Sequence, residues 1–66
     1  MIQLRRLNGQ AFILNDELIE TIEATPDTVV TLTNGRKYVV SESPPDIVEL
    51  VQAFRRRIFL VGGGAP

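Results

Sequence analysis

Asp16 and Glu17 are the first residues along the chain that invite a chemical reading, because adjacent carboxylates can divide general-acid and general-base work. They lie in the polar stretch Asn15-Asp16-Glu17, with no nucleophile, histidine or phosphate-cradling glycine loop beside them, so no catalysis is expected there. The 66 residues include no histidine and no cysteine. Imidazole and thiolate chemistry, the metal sites they build and disulfides are therefore removed together. No catalytic, cofactor-binding or metal-binding residue is assigned, and no cofactor is implied.

The remaining candidates are groups that make contacts. Arg55, Arg56 and Arg57 are three successive arginines, which ring a helix end because consecutive positions cannot share one face. They either complement the helix dipole or meet acidic partner residues, lipid head groups or nucleic acid. Ile58-Phe59-Leu60-Val61 is more apolar than one helix stripe requires, which makes Phe59 and Leu60 candidates for burial between subunits or for an exposed docking or membrane-touching element. Tyr38 is a third interaction candidate. Glu20 and Glu23 read either as an acidic patch or as the wet side of a charge-protected edge strand. Asn8-Gly9 and Asn34-Gly35 are explained by turn geometry alone.

Those residues need elements to hold them. Met1 to Leu7 alternates as a strand, Asn8-Gly9 turns the chain as a two-residue type I′ hairpin, and Phe12 to Leu14 returns. Leu18 to Ala24 reads as a third strand, although Leu18, Ile19 and Ile22 also fit one side of a short helix. Thr25-Pro26-Asp27 is a turn with proline at its second position. Thr28 to Thr33 and Arg36 to Ser41 pair across Asn34-Gly35. Ser43 is a helix N-cap followed by Pro44 and Pro45, with Asp46 in the capping-box position. Ile47, Leu50, Val51, Phe54 and Ile58 then form one apolar stripe. The glycines at 62–64 end the helix. The fold class is α+β: a small antiparallel β-meander of four to five strands with one C-terminal helix. Residues 1–61 form a single domain and 62–66 a disordered tail.

A two-residue turn at Asn34-Gly35 places Val30 opposite Val39 and Val29 opposite Val40. One face then carries Val30, Leu32 and Val39, and the other Val29, Tyr38 and Val40. One helix covers one face, so the other needs sheet curvature, a second copy or another protein; the chain is expected to be a homo-oligomer whose subunits meet through the second sheet face, the C-terminal helix or both. Seven basic and eight acidic residues give a net charge of −1, with no global field to draw nucleic acid. No apolar run approaches the ~20 residues of a membrane span, and the amino terminus lacks the pattern of a signal peptide. A cytoplasmic protein is expected.

The strings Arg6-Leu7-Asn8-Gly9, Leu14-Asn15, Leu18 to Thr28 (LIETIEATPDT) and Leu32-Thr33-Asn34-Gly35 resemble the FlbD/SwrD family of small flagellar proteins. The resemblance covers nearly the whole chain, departing at the double proline and at the ending RRRIFLVGGGAP. It implies an FlbD-like domain over residues 1–61 and a cytoplasmic, non-enzymatic accessory, peripheral to the flagellar base, that supports motility or motor output. The implied partner is a flagellar motor or basal-body component. The alternative is a small nucleic-acid-binding regulator using Arg5, Arg6 and Arg55 to Arg57. Against it, Tyr38 and the phenylalanines do not interleave with the basic residues along the sequence.

Overall fold

The computed structural model describes residues 1–58. Five strands and one helix follow in the order β1 (Ile2–Arg5), β2 (Ala11–Leu14), β3 (Ile19–Ala24), β4 (Thr28–Leu32), β5 (Lys37–Val40) and α1 (Pro44–Arg57). A short 3₁₀ turn, Asp16–Leu18, links β2 to β3. β1 and β2 form one antiparallel hairpin, and β3, β4 and β5 form an antiparallel meander. An Arg6–Val40 bridge and a 2.8 Å bond from the Ser41 amide to the Arg5 carbonyl join β1 to β5. This is the small α+β arrangement expected from the sequence. Phe59, Leu60, the helix stop at the glycines, the domain limit at 61 and the tail 62–66 lie outside the described residues.

Both Asn-Gly turns differ from the type I′ form expected. The Gly9 amide donates to the Arg6 carbonyl and the Arg6 amide to the Gln10 carbonyl, each at 2.9 Å. In the second hairpin the Gly35 amide donates to the Leu32 carbonyl at 2.9 Å, and the Leu32 amide to the Arg36 carbonyl at 2.8 Å. Each loop therefore holds three residues, Leu7-Asn8-Gly9 and Thr33-Asn34-Gly35, and in each only the glycine has a positive φ, +90° and +89°. The asparagines contribute side chains instead. Asn8 Oδ1 accepts from the Gln10 amide at 2.9 Å, and Asn34 Oδ1 from the Arg36 amide at 3.0 Å. This is a type I turn closed by a glycine bulge.

The extra loop residue shifts the register between β4 and β5 by one. Val30 faces Tyr38, Val29 faces Val39 and Thr28 faces Val40, in place of the Val30–Val39 and Val29–Val40 pairs expected. A one-residue slip sends a strand's side chains to the opposite face. Thr28, Val30, Leu32 and Val40 are accordingly buried together, with Tyr38 half-buried beside them. The outer face keeps Val29, Thr31, Lys37 and Val39. Two apolar faces become one core face and a small outer valine pair.

The core consists of Ile2, Leu4, Leu14, Val30, Leu32, Val40 and Ile47. β3 reaches it through a bulge: Ile19 pairs with Leu32 and Ile22 with Val30, leaving Glu20 as the extra residue. Two isoleucines three positions apart thus share a face, which a regular strand forbids. Thr25-Pro26-Asp27 joins β3 to β4 with a cis Thr25–Pro26 peptide bond.

α1 starts as expected. Ser43 Oγ accepts from the Asp46 amide at 3.3 Å, and Pro44 takes the first helical position. Its apolar stripe is only partly covered. Ile47 is fully buried and Val51 and Phe54 are half-buried, whereas Leu50 and Ile58 are exposed.

Candidate functional site

α1 packs against β1 and β3, and a groove of about 560 Å³ remains between the helix and β1, lined by Gln3, Arg5, Glu42, Asp46, Glu49, Leu50 and Ala53. It continues into a smaller lobe of about 190 Å³ lined by Met1, Ile2, Gln3, Leu50, Ala53, Phe54 and Arg57. Its backbone wall is the free edge of β1. Peptide groups alternate sides along an antiparallel strand. At Arg5 the outward amide donates to Glu42 Oε1 at 3.0 Å and the outward carbonyl accepts from Ser41. Gln3, two residues earlier, therefore turns its own amide and carbonyl toward the groove.

The charges are sorted along this groove. β1 runs antiparallel to α1, so Arg5 lies among Glu42, Asp46 and Glu49 at one end, while Met1 and Arg57 lie at the other. The three arginines do not form one patch. Arg57 lines the groove, Arg56 is exposed, and Arg55 turns its Nε toward Asp16 Oδ2 at 3.8 Å.

Asp16 is the residue that sequence reasoning misplaced. It stands at the start of the 3₁₀ turn with its side chain only 1% exposed, where Oδ1 accepts from the Met1 ammonium at 2.6 Å. Asn15 shapes the turn by accepting from the Glu17 amide at 3.1 Å. The carboxylate thus ties the chain start and the carboxyl half of α1 to the β2–β3 connection. A polar triplet in sequence reads as a surface loop, and only the return of Met1 and Arg55 in three dimensions makes it an interior anchor.

Tyr38 belongs to a different surface. Its ring centroid lies 5.4 Å from that of Phe12, and the Arg6 guanidinium sits 4.7 Å from the Phe12 centroid and 5.7 Å from the Tyr38 centroid. A cation thus lies over two aromatic rings although the residues do not interleave along the chain. Asn8, Gly9, Asn34 and Gly35 are at the hairpin tips, which point to the same end because β1 and β5 are antiparallel. No group of three potential metal ligands occurs among the described residues. No helix among them is long and apolar enough to cross a membrane.

The family model for flagellar and swarming motility proteins, FlbD, matches residues 1–59. The chain belongs to the FlbD family. Comparison with curated proteins and with solved structures gives no match. The FlbD match spans all five strands and the whole of α1, so the groove, the Asp16 anchor and the aromatic cluster lie inside the family's domain. Membership carries a role in flagellar or swarming motility.

Proposed function

We propose that this FlbD protein is a non-enzymatic, cytoplasmic accessory of the flagellum that acts through protein contacts, self-associates, and meets a motor or basal-body component at the flagellar base. The observation that carries this reading is the half-covered helix: Leu50 is exposed and Ala53 and Phe54 only half-buried along an open groove. Surfaces of this kind gain from association. The nucleic-acid alternative has weaker support, because Glu42, Asp46 and Glu49 surround Arg5 and stand between it and Arg57. Phosphate binding favours contiguous positive charge.

Deletion of the gene tests the reading. Growth should be unchanged, and swimming in viscous medium and swarming should be impaired and restored by the gene in trans. Normal motility under load in the deletion strain would refute it.

A further inference from the structure

α1 carries two parallel rows of residues with the same spacing. Ile47, Val51, Phe54 and Ile58 follow a four-three-four rhythm; Ile47 is in the protein's own core, Val51 and Phe54 pack against it, and Ile58 is exposed. Asp46, Leu50, Ala53 and Arg57 follow the identical rhythm one residue earlier and line the open groove. That rhythm is the seam of two packed helices, in which such positions meet a neighbouring helix. Among the described residues no second helix meets this row.

The second row is also self-complementary. Asp46 lies four residues before Leu50, and Arg57 four residues after Ala53, roughly 6 Å along the axis in each case. A two-fold axis midway between Leu50 and Ala53 sets Leu50 of one copy against Ala53 of the other. The same axis sets Asp46 against Arg57 twice. The helix has its acid at the amino end and its base at the carboxyl end, so only the antiparallel orientation pairs opposite charges; a parallel pair sets acid against acid. Ala53 at the centre permits close approach, and the groove beside it has room for the incoming Leu50.

We propose that a second copy of this chain fills the groove, forming a two-fold symmetric dimer through antiparallel α1 helices with Leu50 and Ala53 at the centre and Asp46–Arg57 pairs at both ends. The proposal rests on the reading of the protein as an interaction module and names the surface used. One helix face, roughly 21 Å long, is small for an interface, at the low end of specific contacts. The dimer is therefore weak, with a dissociation constant on the order of 100 µM.

Sedimentation equilibrium from about 10 µM to 1 mM on the full chain decides it. The wild type should pass from monomer to dimer across this range. Asp46→Arg and Arg57→Asp should each weaken self-association at least tenfold, because each homodimer sets like charges together. An equimolar mixture of the two variants should dimerise about as well as the wild type, since the mixed pair regains opposite charges at both ends. Circular dichroism reports folding of each variant. The chain has no cysteine, so a mixture of Leu50→Cys and Ala53→Cys offers a second measurement, with a mixed disulfide forming on mild oxidation.

A wild type that remains monomeric at 1 mM would assign the groove to another occupant and overturn the proposal. So would a dimer indifferent to both charge reversals, or a mixture that stays monomeric. None of these outcomes depends on motility, so failure here is separate from failure of the deletion experiment.

Discussion

Gly35 and Asn34 do different jobs although Asn-Gly is read as one signal. Gly35 holds φ +89°, and a Cβ built there meets nothing within 4 Å. Gly35→Ala therefore clashes with no neighbour and costs only the backbone strain of a positive φ, about 1 kcal/mol. Asn34 has no positive φ, so Asn34→Gly loses the bond to the Arg36 amide and gains no relief. It should destabilise by roughly 0.5–1 kcal/mol; a type I′ turn would instead tolerate or welcome glycine there. Chemical denaturation of the two variants separates these cases. Asp16 is tested in the same way. The Arg55 side chain is 64% exposed and the bond from the Met1 ammonium only part-buried, so both cations regain water when the carboxylate is neutralised, and Asp16→Asn should cost about 1–2 kcal/mol. Arg55→Gln should cost less than about 0.5 kcal/mol, because the contact is long, at 3.8 Å, and the arginine side of it is exposed to water.

Among the elements, α1 and the second hairpin show what a sequence discloses and what it withholds. The helix start was legible because Ser43, Pro44 and Asp46 act on their own backbone within one turn, and local chemistry needs no tertiary partner. Ser43→Ala should lower stability by about 1 kcal/mol. The β4–β5 hairpin was legible as a hairpin but not in register, since Asn-Gly serves both the two-residue turn and the three-residue loop. β3 was ambiguous for a related reason: its bulge at Glu20 puts Ile19 and Ile22 on one face and imitates a helical period. The groove could not be read at all, because it depends on how α1 lies along β1. The register has a direct consequence at adjacent valines. Val40 is 1% exposed and Val39 41%, so Val40→Ala should cost about 2 kcal/mol and Val39→Ala under about 0.5 kcal/mol by thermal or urea unfolding.

For the whole molecule, the corrected register leaves the helix as the stronger of the two contact surfaces that the sequence offered, the sheet face and the helix. Two apolar sheet faces would have made the outer face of the meander the natural contact. With Val40 and Tyr38 turned inward, that face presents Val29 and Val39 beside Thr31 and Lys37, and scattered exposed valines are ordinary on a monomer surface. Among the described residues, uncovered apolar area lies along α1, where Leu50, Ala53 and Phe54 adjoin Met1 across the groove. These two surfaces make opposite claims about the same experiment. A charge placed on the helix face should abolish self-association, while the same charge on the outer sheet face should leave it intact. Leu50→Lys and Val39→Lys are suitable, since both residues are already exposed, at 36% and 41%, and neither change buries a charge. Light scattering coupled to size exclusion, with the chain loaded near 1 mM, should give the mass of a monomer for Leu50→Lys and a wild-type mass for Val39→Lys. The reverse result would return the interface to the sheet.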